Sequence, residues 1–372
     1  MKFFHLSDLH IGLKLMNRDL REDQEYIFRQ IVDRVKEQKP DALVIAGDIY
    51  DKAVPAAEAV QVFDSFMGQL TEAAPEMTVM AVSGNHDSGP RVDCFRSVLS
   101  RQKVHMIGLP PQCEGEYIEK VVLWDSYGKV NFYLLPFVKP SMVKMIVGTD
   151  KNGNNFSYDE TVHKLIQREA INKKERNILV SHQFYLPVGK AADDVERMDS
   201  EIRTVGNIDQ ISADILEQFD YAALGHIHKA QRIGGREAVR YAGSPLPMSF
   251  SEKNYRHQVI AVAVEEGKVA GIEAIEIPRV ADLMRIPDSP LPPEEVLRCL
   301  AGLPEPEEGR EDESRWPYLE IRVLLTEPDP TFRHRVEEAL VGKAVRLTSI
   351  VPSYPRREGE AEERALSYND LQ

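Results

Sequence analysis

The stretch Ala42-Leu43-Val44-Ile45-Ala46-Gly47-Asp48-Ile49-Tyr50-Asp51 begins with five apolar residues and ends with carboxylates in a short polar segment. An apolar run of this length, closed by a glycine, is typical of a buried strand that leads into a polar loop. In open α/β sheets, functional groups gather outside the carboxyl ends of such strands. The stretch therefore predicts an α/β sheet with Asp48 in the loop at its functional edge.

Four other apolar runs lead into polar residues in the same way. They are Phe3–Leu6 before Ser7-Asp8-Leu9-His10, Val79–Val82 before Gly84-Asn85-His86-Asp87, Ile178–Val180 before Ser181-His182, and Tyr221–Leu224 before Gly225-His226-Ile227-His228. Each loop contains aspartate, asparagine or histidine, the side chains that bind hard or borderline metal ions. Because five strand ends deliver such residues, we expect them to form a single site.

The residue types in these loops indicate two metal ions. The predicted ligands comprise two carboxylates, one amide oxygen and four imidazoles: Asp8, His10, Asp48, Asn85, His182, His226 and His228. This set is too large for one tetrahedral ion and contains no thiolate of the structural zinc type. Mixed oxygen and nitrogen ligation suits Mn, Fe or Zn better than Ca. Two ions about 3.5–4 Å apart would use all seven ligands, activate a bridging water and clamp an in-line displacement at phosphorus.

Each motif taken alone has a simpler interpretation. A single histidine after a strand is more often a hydrogen-bonded loop residue, and Gly-Asp or Gly-Asn pairs are mostly turns. The ordered series of motifs, each one after a strand, favours the metal site. The remaining histidines show no ligand spacing, and we expect them to have ordinary structural roles: His5, His105, His163, His257 and His334.

The series Asp-x-His, Gly-Asp-x-x-Asp, Gly-Asn-His-Asp, a lone histidine after a strand and Gly-His-x-His resembles the calcineurin-like metallophosphoesterases. Within that superfamily the chain is most similar to the SbcD-type nuclease subunits, which work with the ATPase SbcC. Three stretches carry this closer resemblance: Ser7–Gly12, Ala46–Asp51 and Tyr241–Phe250. The third stretch binds no metal and is not expected in a generic phosphoesterase.

The resemblance implies a role for each site residue. One ion would be bound by Asp8, His10 and His228, the other by Asn85, His182 and His226, with Asp48 bridging the two. His86 would face the substrate phosphate and donate a hydrogen bond or proton to the leaving oxygen. Asp51 would accept a hydrogen bond from His86 and hold it charged, and an aspartate at this position is typical of bacterial members.

The resemblance also implies the architecture, an α/β fold with a four-layer αββα sandwich. Residues 1–278 would form this nuclease domain, with Val239–Ala242 and Val259–Val264 as strands of a second sheet. Residues 279–353 read as a small α+β capping domain. Residues 354–372 form a C-terminal tail that could begin an SbcC-binding segment.

Apolar spacing predicts the helices and the remaining strands. The helical periodicity of apolar residues over 56–70 and 158–172 favours two helices that pack on the sheet. SbcD-like proteins also pair their subunits through helices near residues 56–70, so the resemblance implies a homodimer. After a proline-rich segment, the pattern predicts a helix, a strand, a helix and a strand at 294–300, 318–325, 331–340 and 344–351.

Composition favours a soluble cytoplasmic enzyme. The 372 residues exceed what one core usually holds, so two domains are expected. Cys94, Cys113 and Cys299 are scattered, which fits a reducing compartment better than a disulfide framework. The first strand begins too early for a signal peptide, and no apolar stretch approaches the roughly 18 residues of a membrane span.

The formal net charge of −14 bears on how the chain would bind DNA. A free-standing DNA binder should be basic, because phosphate contacts supply most of its affinity. Two divalent ions would add positive charge where the phosphate binds, and some acidic residues are concentrated elsewhere, between Glu305 and Glu313. We therefore expect a partner to supply much of the DNA-binding surface.

The resemblance thus implies a Mn²⁺-dependent DNA nuclease, a 3'–5' exonuclease and endonuclease acting on duplex ends and hairpins. The resemblance also implies that it works with an SbcC-type ATPase in DNA repair, recombination and replication. Because the sequence contains no Gly-x-x-x-x-Gly-Lys phosphate loop, we expect ATP to have no effect on the isolated chain. Two alternatives stay open: a nucleotide phosphodiesterase or pyrophosphatase of the same superfamily, and a non-catalytic scaffold. A scaffold would have lost ligands or the catalytic histidine, whereas all seven ligands and His86 are present.

Overall fold

The computed structural model describes residues 1–187, 189, 195–197, 200–201, 209–307 and 312–355. These residues divide into two compact units. The first comprises Met1–Leu15 and Asp19–Arg279, and the second comprises Met16–Arg18 and the described residues from Val280 onward. Within the described ranges, no helix has both the length and the apolar character needed to cross a membrane.

The strands of the described residues are, in chain order, β1 (Lys2–Leu6), β2 (Lys14–Leu15), β3 (Arg18–Asp19), β4 (Ala42–Ala46), β5 (Thr78–Val82), β6 (Val104–Ile107), β7 (Glu119–Asp125), β8 (Gly128–Leu135), β9 (Arg176–His182), β10 (Phe184–Leu186), β11 (Gln210–Ser212), β12 (Tyr221–Gly225), β13 (Gln231–Ile233), β14 (Arg236–Tyr241), β15 (Gln258–Glu265), β16 (Lys268–Glu276), β17 (Leu283–Leu291), β18 (Tyr318–Leu324) and β19 (Arg346–Ser353). The α-helices are α1 (Arg21–Gln38), α2 (Ala57–Ala73), α3 (Gly89–Val92), α4 (Arg96–Leu99), α5 (Pro140–Val147), α6 (Tyr158–Gln167), α7 (Pro293–Ala301) and α8 (Phe332–Ala339).

Two six-stranded sheets form the centre of the first unit. Their strand orders are β16-β15-β1-β4-β5-β6 and β13-β14-β12-β9-β8-β7. In the first sheet β1, β4, β5 and β6 run parallel, and in the second β8, β9, β12 and β14 do so. The carboxyl ends of these strands therefore share one edge in each sheet, where α/β proteins bind ligands.

Apolar side chains fill the space between the two sheets. Phe3 of β1 packs edge-to-face on Phe132 of β8 and Tyr221 of β12, with ring centroids 5.4 and 5.5 Å away. Phe4 and Leu43 point to the opposite face of the first sheet and are equally buried. Buried strands of this kind need a layer on both faces, and helices supply it.

The outer layers consist of helices, as the predicted αββα sandwich requires. On the first sheet, α1 and α2 pack together through Phe28 and Phe66, whose rings stack with centroids 4.4 Å apart. On the second sheet, α5 and α6 contribute Val143 and Leu165 to a core shared with Leu179 of β9. The predicted fold class is confirmed.

The predicted sheet assignment of Val259–Val264 is wrong. These residues lie in β15, which pairs antiparallel with β1 of the first sheet, Phe3 opposite Val262. Val239 of β14 lies in the second sheet, as expected. Alternating apolar residues indicate that a strand is buried, but they do not identify its partner, and β15 pairs with the side of β1 that β4 leaves free.

The second unit is a three-stranded sheet, β17-β18-β19, with α7 and α8 packed together. Its core contains Leu300, Ile321 and Val336. The proline-rich segment is partly strand, because β17 runs through Pro287 and Pro290. The pairing of β17 with β18 is interrupted there, which an edge strand tolerates. The expected SbcC-binding tail falls on residues 354–372, and from residue 356 it lies outside the described residues.

The buried His5 predicts a pH dependence of stability. Its Nε2 lies 3.2 Å from the Leu224 carbonyl and its Nδ1 3.0 Å from the Tyr221 hydroxyl. Burial, reinforced by the nearby Arg240, lowers the pKa of His5 to about 3. The unfolded chain takes up this proton near pH 6.5, so stability is complete above that pH and falls as the pH drops towards 3.

We expect His5 alone to reduce the free energy of unfolding by about 2 kcal/mol between pH 7 and pH 5. Urea unfolding at both pH values should show this loss in the wild type and a correspondingly smaller loss in His5→Gln. His334→Gln changes an exposed helix residue and is the control, which should retain the wild-type difference. If the free energy of unfolding depended equally on pH in the wild type and in His5→Gln, the low pKa of His5 would be contradicted.

Candidate metal centre

The first group of predicted ligands lies in the loops after β1, β4, β9 and β12. Potential ligand atoms of Asp8, His10 and His228 lie within 4.8 Å of one another, and so do those of Asp8, Asp48 and His182. Asp8 and Asp48 follow strands of the first sheet, whereas His182 ends β9 and His228 follows β12 of the second. The site is therefore assembled from both sheets.

A second group forms around Asn85. Its Oδ1 lies 3.1 Å from His182 Nε2 and 2.8 Å from His226 Nδ1. The two groups meet at Asp48, whose Oδ2 lies 3.2 Å from His182 Nε2 and 3.4 Å from His10 Nε2. The structure thus brings all seven predicted side chains together, with the Asp48 carboxylate between the two groups.

The loops reach this arrangement through unusual backbone conformations. Asp8, His10, Asp48 and His226 have φ angles of 54°, 41°, 49° and 103°. Positive φ is uncommon outside glycine, and such strain persists only where surrounding contacts enforce it. Two of these contacts are backbone hydrogen bonds of 3.0 Å, from Asp8 N–H to the Gly47 carbonyl and from His10 N–H to the Asp48 carbonyl.

Two glycines permit the close approach of the ligands. Gly47 has a φ of +90°, and a Cβ atom there would lie 2.2 Å from His182 Nδ1. A Cβ atom at Gly84 would lie 2.1 Å from Asp48 Oδ1. Both distances are far below van der Waals contact, so the glycines of these motifs are required by packing around the ligands.

Unsatisfied polar atoms indicate that the site fits metal ions. Both ring nitrogens of His10 and the Nε2 of His226 are buried without a hydrogen-bond partner among the described residues. Buried polar atoms are almost always paired, because an unpaired one loses its hydration without compensation. A divalent ion bound beside the Asp48 carboxylate would satisfy His10 Nε2, which faces that carboxylate.

Two of the four predicted histidine ligands are held in the neutral form. Burial, with repulsion from His182, lowers the pKa of His226 to about 3, and burial near His10 lowers the pKa of His228 well below its usual value. Both rings are then neutral, the form that binds metals. Burial alone would lower the pKa of His182 as well, but the adjacent Asp48 carboxylate raises it to about 9.

His182 is also held in one orientation. Its Nδ1 lies 2.7 Å from the Ala46 carbonyl, so this nitrogen carries the proton and donates. The Nε2 is left facing Asp48 and Asn85. A hydrogen bond on the far nitrogen is the usual way in which proteins orient a histidine ligand.

His86 lies beside the ligands and is anchored twice. Its backbone N–H donates to Asp48 Oδ1 at 2.9 Å, and its Nδ1 lies 2.9 Å from the backbone carbonyl of Asp51. The Nδ1–H donates to that carbonyl, which leaves Nε2 as the nitrogen available to a substrate.

The predicted contact between the Asp51 carboxylate and His86 is not the one observed. Asp51 Oδ1 lies 3.6 Å from His10 Nδ1, and only the backbone carbonyl of Asp51 meets His86. The turn that follows Asp48 directs the carbonyl towards the loop of His86 and the side chain towards the loop of His10. Asp51 therefore lies beside His10 and His86, but its carboxylate faces His10 and not His86.

Two residues that stabilise the loops, the half-buried Asp87 and the buried Gln24, were not predicted from the sequence. Asp87 accepts hydrogen bonds from the backbone N–H groups of Gly84, Ile49 and Tyr50 at 2.8–3.0 Å and so ties two ligand loops together. The spacing Gly84-x-x-Asp87 is a local signal, because aspartate often binds the backbone of its own turn. Gln24 of α1 donates to the His10 carbonyl at 2.8 Å, a long-range contact without a local signal.

Comparison with known families gives two matches that cover most of the chain. The model for calcineurin-like phosphoesterases matches residues 1–230. The model for the SbcD C-terminal domain, described as the Type 5 capsule protein repressor C-terminal domain, matches residues 279–372. Together they agree with the resemblance that the motifs indicate.

Several solved structures are also similar to the chain. TT1561 of Thermus thermophilus is 11% identical, with a TM-score of 0.39, covering 74% of this chain and 99% of that one. A dimetal phosphatase from Danio rerio is 13% identical, with a TM-score of 0.39, covering 75% and 99%. GAP50, described as the anchor in the inner membrane complex of Plasmodium, is 13% identical, with a TM-score of 0.40, covering 75% and 89%.

The position of Asp48 predicts the result of removing its carboxylate. We expect the wild type to bind about two divalent ions per chain and Asp48→Ala to bind neither firmly, because this side chain contacts both ligand groups. Metal analysis after equilibration with Mn²⁺ and gel filtration measures the stoichiometry. Asp41→Ala is the matched control, since Asp41 precedes the same strand at its opposite end and should leave the metal content unchanged. Full metal content in Asp48→Ala would contradict a bridging role.

Proposed function

The chain belongs to the calcineurin-like phosphoesterases, and from this membership we propose that it is a metal-dependent DNA nuclease of the SbcD type. It hydrolyses phosphodiester bonds at duplex ends and in hairpins, as a 3'–5' exonuclease and endonuclease. The observation that carries the proposal is the convergence of both ligand groups on Asp48, with His86 anchored beside them. The match of residues 279–372 to the SbcD C-terminal domain supports a DNA substrate over a nucleotide.

Divalent ions, with Mn²⁺ as the expected metal, would supply an activated water and stabilise the charge that develops on the phosphate. Asp8, His10 and His228 would hold one ion, Asn85, His182 and His226 the other, and Asp48 would bridge them.

The protein's own side chains orient the substrate and supply a proton donor for the leaving oxygen. Because the Asp51 carbonyl fixes His86 Nδ1, the free Nε2 can donate a hydrogen bond or proton to the leaving oxygen. The Asp51 carboxylate faces the ring of His10 instead, with its Oδ1 3.6 Å from His10 Nδ1. Phe137 stacks near His226, with centroids 6.5 Å apart, and adds an apolar wall to the site.

The surface chemistry supports a partner for DNA binding. The net charge of −14 is unfavourable for a chain that must grip DNA by itself, because duplex affinity comes largely from phosphate contacts. An SbcC-type ATPase would supply the missing basic surface and the ATP-dependent step. This complex would act in the cytoplasm, in DNA repair and recombination.

A homodimer is the second proposed assembly. Phe95, which precedes α4, is 77% exposed, Val98 within α4 is 58% exposed, and Val60 of α2 is 44% exposed. Val60 and Phe95 line an apolar hollow together with Phe63 and Met67 of α2. Burial of such side chains against a second copy would stabilise the dimer by about 25 cal/mol for each Å² of apolar surface removed from water.

The position of His86 predicts a loss of turnover without a loss of metal. We expect His86→Ala to lower Mn²⁺-dependent cleavage of linear duplex DNA by about 10²–10⁴-fold, the usual range for general acid catalysis. Metal analysis of the same sample should give wild-type content. His334→Ala, at an exposed helix position, is the control and should retain both properties. Loss of metal from His86→Ala, or full nuclease activity, would contradict the proposed role.

The division of labour with a partner predicts weak activity of the isolated chain. We expect slow cleavage of duplex DNA with Mn²⁺, abolished by chelation and unchanged by ATP, because the ATP-binding motif is missing from the sequence. The rate on duplex DNA is compared with that on a chromogenic phosphodiester and on nucleotide pyrophosphates. Stimulation by ATP, or processive degradation of DNA by the isolated chain, would contradict the proposal that a partner supplies the ATP-dependent step and the DNA-binding surface. Faster cleavage of nucleotide pyrophosphates than of duplex DNA would contradict the proposed nuclease function.

A further inference from the structure

The stretch Tyr241–Phe250 distinguishes this chain from a generic phosphoesterase, yet it contains no predicted ligand. In the structure it packs against the main chain of His228. The backbone N–H of Ser244 donates to the His228 carbonyl at 3.0 Å. A Cβ atom at Gly243 would lie 2.8 Å from the same carbonyl, so the contact leaves no room for a side chain. The stretch is therefore part of the support of one predicted ligand.

A chain of side-chain hydrogen bonds reaches the imidazole of the same residue. Ser200 Oγ lies 2.8 Å from His228 Nδ1 and 3.1 Å from Oε1 of Glu252, which follows the stretch by two residues. Glu252 is fully buried, and its Oε1 also accepts a hydrogen bond from Ser249 at 3.2 Å. The three groups form a line from His228 through Ser200 to Glu252.

The chemistry of these groups fixes the direction of both hydrogen bonds. Burial raises the pKa of Glu252 to about 7, so above that pH its Oε1 is an acceptor only and the Ser200 hydroxyl donates its only proton to it. The Ser200 oxygen must then accept from His228, which places the ring proton on Nδ1. His228 Nε2 consequently carries the lone pair that a metal ion needs.

Glu201, the residue that follows Ser200, holds the backbone of His228. Glu201 Oε1 accepts the His228 N–H at 2.9 Å, and Glu201 Oε2 is paired with Arg197 Nε at 3.0 Å. The backbone is thus fixed independently of the hydroxyl of Ser200. Removal of that hydroxyl should therefore free the ring of His228 without moving its main chain.

The other ligand group is oriented by different means. His182 donates to the backbone carbonyl of Ala46, a contact that no side-chain substitution at its partner removes. Only the ring of His228 depends on a side-chain hydroxyl in this way among the described contacts of these two histidines. A change at Ser200 should consequently affect one ion and spare the other.

We propose that Ser200 and Glu252 are positioning residues that fix the tautomer and orientation of His228, and thereby set the affinity of the ion held with Asp8 and His10. A carboxylate behind the hydroxyl also makes the imidazole a stronger ligand. This inference rests on the metal centre of the proposed function, and not on the identity of the phosphodiester that is cleaved.

The test is Mn²⁺ titration of the metal-free protein by calorimetry. We expect Ser200→Ala to weaken one of the two ions by about 10–100-fold and to leave the other unchanged. Ser200→Thr keeps the hydroxyl and should restore the wild-type affinity. Ser181→Ala is the matched control, because it removes a buried hydroxyl next to His182 that contacts Tyr185 and no ligand ring. It should bind both ions normally.

A second measurement needs no variant and no metal. Above about pH 8, where Glu252 is ionised, the ¹⁵N chemical shifts of the His228 ring in the metal-free wild type should report the Nδ1–H tautomer. The Nε2–H tautomer would overturn the inference, and so would unchanged affinities in Ser200→Ala, equal weakening of both ions, or a failure of Ser200→Thr to restore binding. If the wild type binds two ions and cleaves no DNA, the nuclease proposal fails while these titrations still decide the role of Ser200.

Discussion

The carboxylate of Asp48 lies between histidines from both sheets, 3.2 Å from His182 Nε2 and 3.4 Å from His10 Nε2. It also accepts the backbone N–H of His86. Burial favours its neutral form, but the neighbouring His182 and His10 hold the pKa of Asp48 well below its usual range. The site therefore has a permanently charged centre around which imidazoles and carboxylates can be packed out of water.

The sandwich explains how so many polar groups can be buried together. Parallel strands in each sheet end at a common edge, and each end contributes only a short loop with one or two ligands. The cost appears as positive φ angles at Asp8, His10 and Asp48 and as a contact with the His182 ring that allows no side chain at Gly47. Asp87 and Gln24 offset part of this cost by bonding to the loop backbones. Divalent ions would then stabilise the folded state, because the unfolded chain cannot assemble their ligands.

Much of this centre could be predicted from sequence because its signals are local. Each ligand follows an apolar run within a few residues, so strand and ligand are recognised together. The features that were missed depend on distant parts of the chain. Ser200 and Glu252 reach His228 from 28 and 24 residues away, and no spacing rule connects them. The Asp51 carboxylate faces His10 and not His86, because side-chain direction in a turn depends on packing that the sequence does not display.

Anomalous diffraction from crystals equilibrated with Mn²⁺ tests the two-metal centre most directly. The account predicts two manganese peaks about 3.5–4 Å apart, with Asp48 bound to both ions and His228 bound to one of them through Nε2. A single peak would contradict it, as would peaks away from Asp48 or the absence of manganese at saturating concentration.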